Sequence, residues 1–176
     1  MKNIICVVLI LISIVIFGMR ISKRIVFKQN VSGYLKRAAT ANTIQLAHEQ
    51  LTKALDYLEA ENLTSGYTSV LYETPDEDID FWYRNLKASQ IELKNLNSES
   101  ALEKTNVLIK LRESLLSGEK GRVTVPQGLS VYPNNKMWAA LIFFALFASF
   151  FAIMIPVIES EKKAKEKTAA NKNNTI

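Results

Sequence analysis

The sequence predicts an all-α protein, a membrane-anchored antiparallel three-helix domain held between two transmembrane helices. Two apolar runs, residues 4–18 and 137–158, carry the membrane part of that expectation, and apolar positions recurring every three or four residues between them carry the helical part. The second run holds 22 uncharged residues. At about 1.5 Å per residue that length crosses a hydrocarbon core about 30 Å thick. The organisation expected is an anchor over 1–19, a helical domain over 20–118, an extended strap over 119–136, a second span over 137–158 and a basic, partly disordered tail over 159–176.

The first run is only 15 residues long and follows Lys2, so it also fits a secretory leader. Cleavage is not expected, because Ile14-Val15-Ile16-Phe17-Gly18-Met19 offers no small-x-small site and Arg20, Lys23 and Arg24 follow at once. An uncleaved anchor results, with Lys2 and Arg20 snorkelling at its ends. Cys6, the one cysteine, sits inside this run and reads as a small apolar residue.

Net charge is +5, yet residues 38–100 carry four basic side chains against eleven acidic ones. The positive charge gathers beside the spans. Arg20, Lys23, Arg24, Lys28, Lys36 and Arg37 follow the first, and Lys162, Lys163, Lys165, Lys167 and Lys172 follow the second. That placement suits lipid headgroups, and no basic stripe interleaved with aromatics argues for nucleic acid. Nine Lys/Arg flank the spans on the domain side and six on the outer side, so charge alone nearly ties. Long domains translocate with little regard for charge, whereas the lysine-rich tail resists export; both termini are therefore expected in the cytoplasm.

Within the domain, Leu35, Ala38, Ala41, Ile44, Ala47, Leu51, Leu55 and Leu58 form one apolar face, which predicts a single helix over 34–61 ended by Asn62-Leu63-Thr64-Ser65-Gly66. Residues 67–72 are β-branched and aromatic and are expected to cross the helices as an extended connector. Thr74-Pro75-Asp76-Glu77 has the form of a capping box, predicting a helix start at Thr74 that leads through Ile79, Trp82, Leu86, Leu93 and Leu96. Ser100-Ala101-Leu102-Glu103 is a second box, leading through Val107, Leu108, Leu111 and Leu115 to Gly118. Pro126, Gly128 and Pro133 then mark the strap, and Trp138 is expected at the bilayer interface.

Candidate chemistry is sparse. Glu73, Asp76, Glu77, Asp78 and Asp80 lack the glycine turn and distal glutamate of a calcium loop, and a helix N-terminus accounts for them through its dipole, so no metal site is expected. His48 is the only histidine, no phosphate-cradling or nucleophile-elbow motif occurs, and neither an enzyme nor a cofactor is expected. Tyr67, Tyr72, Phe81, Trp82 and Tyr83 are more suggestive. Three consecutive aromatics on one helix cannot share a narrow stripe, so at least one points away from the core; Tyr67, Tyr72, Trp82 and Tyr83 are the candidate partner-binding residues. In the second span, Ala145, Ala148, Ser149 and Ala152 form a small-residue face suited to close packing of helices.

The stretch Gly66-Tyr67-Thr68-Ser69-Val70-Leu71-Tyr72, then Thr74-Pro75-Asp76-Glu77-Asp78, Phe81-Trp82-Tyr83 and Asn85-Leu86-Lys87-Ala88-Ser89, resembles an uncharacterised family of small bacterial membrane proteins over about residues 35–133. The resemblance implies placement in the bacterial envelope and brings no activity with it. The function expected is a non-enzymatic interaction or accessory module in the inner membrane, with the lipid bilayer and a protein partner or second copy as its contacts. The alternative is a ligand-sensing helical bundle that signals through a membrane partner. A pore is disfavoured because neither span carries a polar stripe.

Overall fold

The structure, a computed structural model, describes residues 2–118 and 121–173. It is mostly helical, in the order α1 (Lys2–Phe27), a π-helical segment (Lys28–Ser32), α2 (Gly33–Ala39), α3 (Ile44–Ala60), α4 (Ile79–Asn95), α5 (Ala101–Leu115), two short strands β1 (Leu116–Ser117) and β2 (Arg122–Val123), and α6 (Asn135–Asn173). The chain divides into two compact units, residues 1–21 with 137–176, and residues 22–136.

In the first unit, two helices are long and apolar enough to cross a membrane, and only 17% of the most apolar stretch of each is buried within the protein. A helix at the core of a soluble protein would be mostly buried. Cys6 and Ser13 of α1 are buried, as are Ala145, Ala148 and Ala152 of α6. The Ser13 hydroxyl lies 2.9 Å from the Leu9 carbonyl and 3.1 Å from the Ala145 carbonyl, so it serves both its own helix and its neighbour. Ser149 is half-buried and donates to the Ala145 carbonyl at 2.7 Å. Small side chains let the second backbone come this close. Trp138, near the start of α6, is 4% exposed, its indole enclosed by protein.

α6 continues past Pro156 to Asn173. Alternating lysine, glutamate and alanine are good helix formers and propagate the helix already nucleated by the span. Residues 174–176 and the flanking Lys120 lie outside the described residues.

In the second unit, the expected single helix over 34–61 is two. Residues up to Ala39 end the rod that begins in α1, and Thr40-Ala41-Asn42-Thr43 breaks the chain before α3. The Thr40 hydroxyl bonds back to the Lys36 carbonyl at 2.9 Å, and Thr43 caps α3 by accepting from the Leu46 amide at 3.2 Å. The apolar period runs unbroken through this turn, which is why periodicity alone misses it. Four rods therefore build the core where three are expected: Val31 and Leu35 from the first, Leu51, Leu55 and Leu58 from α3, Ile79 and Leu86 from α4, Leu111 and Leu115 from α5.

Two other boundaries move. Thr74-Pro75-Asp76-Glu77 closes a 3-10 turn, and α4 begins at Ile79 with Asp78 as its cap, accepting from the Phe81 amide at 3.1 Å. The Thr74 hydroxyl donates to the Glu77 carboxylate at 2.8 Å in place of capping the helix. α5 starts as expected at Ser100, whose hydroxyl accepts from the Glu103 amide at 3.4 Å, but it stops at Leu115 because Leu116 and Ser117 pair antiparallel with Val123 and Arg122.

The connector is anchored at one end only. Thr68 bonds the Glu77 carbonyl at 3.1 Å and Ile79 bonds the Gly66 carbonyl at 2.9 Å, while Leu71 and Tyr72 project into solvent. Gly66 has φ of 99°, and a Cβ there would run into the Tyr132 hydroxyl. Only glycine meets both demands.

Candidate functional site

The four rods of the domain do not close into a ring. α2 packs on α3, α3 on α4 and α2 on α5, but α4 and α5 make no comparable contact. Between them lies an open groove of about 1080 Å³. α4 turns a stripe toward it at Asp78, Phe81, Trp82, Asn85, Leu86, Ser89 and Leu93, and α5 turns Val107, Lys110, Leu111, Ser114 and Leu115. These are helical spacings of three and four, the same repeat that elsewhere buries a helix face. Here Leu86, Leu93, Leu111 and Leu115 are already buried in the domain core, and Phe81, Asn85 and Lys110 stand exposed along the groove.

The walls differ at their two ends. Near the start of α4, Asp76, Glu77 and Asp78 line the groove, and Val125 and Pro126 of the strap close its side. Trp82 fastens that strap, its indole nitrogen donating to the Thr124 carbonyl at 2.9 Å. Toward the end of α4, Lys110 of α5 reaches Glu92 at 2.8 Å. Both side chains are exposed, so the pair contributes about 0–1 kcal/mol and yields readily. Phe81 stands at the lip, 59% exposed, and is the aromatic that has no place in the core.

The sequence-designated aromatics do not gather at one place. Trp82 lines the groove, and Tyr83 faces α3 on the other side of α4, where its hydroxyl donates to Glu59 at 2.6 Å. Lys87 donates to the same oxygen at 2.8 Å. These two hydrogen bonds, Lys87 first, hold the Glu59 carboxyl below its usual range. Partial burial, followed by the Glu59 contact, pushes the Tyr83 phenol up to about 12. Tyr67 and Tyr72 are outside the groove, 40% and 74% exposed. Ala145, Ala148, Ser149 and Ala152 lie along α6, three of them buried and Ser149 half-buried.

The acidic residues are engaged locally: Asp78 caps α4, Glu77 accepts from Thr74, and Asp80 pairs with Arg84 at 2.8 Å. No three His, Cys, Asp or Glu side chains converge as a metal-ligand set among the described residues. His48 is half-buried on α3.

Sequence reasoning misses most of the groove. Phe81 belongs to the aromatic group the sequence singles out and Val107 to a predicted helix face, but Asn85, Ser89 and Lys110 carry no chemical motif, and the one available signal is that α4 has more apolar and aromatic positions than a single packed face requires. No family model, no curated protein and no solved structure matches this chain.

Proposed function

We propose that this is a small integral protein of the bacterial inner membrane, with both termini in the cytoplasm, whose helical domain acts outside as a non-enzymatic accessory module for another envelope protein. The observation that carries the reading is the groove between α4 and α5, a stripe-lined gap that the chain itself leaves open. Phe81, 59% exposed at its lip, with the half-buried Trp82 and Val107, offers a partner segment an apolar foothold there. The membrane assignment is supported by the outward faces of α1 and α6, where Ile4, Ile14, Phe143 and Ile153 are each at least 60% exposed. In water such rows would form an apolar patch far larger than a monomer carries, whereas hydrocarbon solvates them at no cost.

Photo-crosslinking in cells tests it. With p-benzoyl-phenylalanine in place of Ser89, at the groove, the expected result is one discrete membrane-protein adduct that is absent when the probe replaces Asp56, exposed on α3. A second reading, ligand sensing through a membrane partner, is favoured by the polar groups of Asn85, Ser89, Ser114 and Gln127 beside the apolar floor. Equal adducts from both positions, together with thermal stabilisation of the purified protein by a small-metabolite pool, would replace the accessory role with sensing.

A further inference from the structure

We propose that the tip of the connector, Val70-Leu71-Tyr72, dips into the interfacial layer of the bilayer and seats the helical domain on the membrane. This rests on the membrane reading above and is independent of the groove. The domain leaves the tip uncovered: Leu71 is 88% exposed, and Val70 and Tyr72 stand out on either side of it. Single exposed apolar residues are ordinary, but a contiguous set marks a surface that something covers.

Two separate features bring this tip to the membrane end of the domain. The first is the course of the helices within residues 22–136. From Ser22 to Ala39 the first rod rises about 26 Å at 1.5 Å per residue. The turn at residues 40–43 then folds α3 back along it, and the 17 residues of α3, about 25 Å, pack against α2 and the π-helical segment in turn. The connector after Ala60 is thereby returned to the level of Ser22, where the chain joins the first apolar run. The second feature is the base of the connector, which the strap clamps. Tyr132 lies against Gly66, and a Cβ on Gly128 would stand 2.6 Å from the Asn135 amide nitrogen and 3.8 Å from the Thr68 carbonyl, so both groups crowd one glycine. Asn135 also donates to the Gly128 carbonyl at 3.1 Å. It is the first residue of α6, two positions before the second apolar run begins at Met137.

Reach follows from chain length. Leu71 is three residues beyond Thr68, at most about 11 Å, and Met137 is two beyond Asn135, at most about 7 Å. The headgroup layer is about 5–8 Å deep on each side of the hydrocarbon, so the tip can enter it. Composition then fixes the depth and the lipid. Tyrosine is favoured at headgroup level and leucine at the acyl boundary beneath it. No Lys or Arg occurs between residues 54 and 83, whereas Glu73 and Asp76 are exposed beside the tip. The seat is therefore apolar, and an anionic leaflet opposes it.

The test uses the full chain in nanodiscs, in a Cys6→Ser background, with a nitroxide on one introduced cysteine at a time. The positions are Leu71→Cys at the tip, Asn42→Cys in the turn at the opposite end of the domain, and Phe147→Cys on the exposed apolar face of α6. Collision with dissolved oxygen, which prefers lipid, and with a water-soluble nickel chelate reads the depth of each label. In zwitterionic lipid the Leu71 label is expected to meet the chelate about fivefold less often than the Asn42 label, and to lose part of that protection when anionic lipid is added at low salt. Val70→Asp with Tyr72→Asp, both at exposed positions, should return the Leu71 label to the Asn42 value with the circular dichroism unchanged. A Leu71 label as accessible as the Asn42 label overturns the proposal. So does protection that survives the double substitution, because the label itself would then be what inserts. Protection found in native membrane vesicles but missing in nanodiscs overturns it too, and assigns the tip to a protein partner. The Phe147 label keeps the two readings apart: if it is deep in lipid beside an accessible Leu71 label, only the seat is wrong, and if the chelate reaches it as well, the membrane reading falls with the proposal.

Discussion

Tyr83, Glu59 and Lys87 tie α4 to α3 through one carboxylate oxygen, and their titration is the sharpest residue-scale consequence of the fold. A carboxyl held below its usual range stabilises the folded state above its unfolded value near 4.5, and that contribution disappears as pH falls through the lower folded value. A phenol pushed from 10 to about 12 acts at the other limit: its contribution is complete below pH 10 and is lost as pH rises through 12. Glu59→Gln is therefore expected to flatten the acid limb of the stability profile and to lower the Tyr83 midpoint, read by ultraviolet difference titration against Tyr83→Phe. An unchanged midpoint would remove Glu59 as a cause. At Gly66 the expected effect is larger. Gly66→Ala sets a side chain in the left-handed region against the Tyr132 hydroxyl and should cost at least about 1–3 kcal/mol, visible as a lower melting temperature of the purified protein. Neither feature was legible in the sequence, because the Tyr83–Glu59 and Gly66–Tyr132 contacts join residues far apart in the chain.

At the scale of elements, local patterns were read well where one residue decides and poorly where several compete. Ser100 starts α5 where its capping box says it should. Thr74 offers an equally good box, yet the proline after it settles into a 3-10 turn and Asp78, four residues on, takes the cap. The break at residues 40–43 hid for another reason: Ala38, Ala41 and Ile44 keep the helical period across it, and the capping threonines lack an acidic partner three residues on. For the pair α1 and α6, the small residues Ala145, Ala148 and Ala152 were visible in the sequence, but Ser13 as their counterpart was not. Ser13→Ala should cost less than about 1 kcal/mol, the usual worth of one hydrogen bond between helices in lipid, whereas Ala145→Leu must force the helices apart and should cost about 1–3 kcal/mol. Reversible unfolding in mixed micelles separates the two. An equal cost would mean that the hydrogen bond, rather than close approach, holds the pair.

For the whole molecule, composition and hydropathy pattern disclosed two apolar helices and an acidic helical segment between them, and the helices are there. What they could not disclose is a gap. The groove lies where two helices pack less closely than their neighbours, and α4 and α5 each look like ordinary amphipathic helices until their packing partners are known. The functional reading depends on where that groove is displayed, since an accessory module for the envelope must face outward while both termini stay inside. The most direct measurement is labelling of intact cells with a membrane-impermeant maleimide, using Ser65→Cys, exposed in the turn after α3, in a Cys6→Ser background. Labelling before lysis is the result this account predicts; labelling only after lysis would put the domain in the cytoplasm and contradict it.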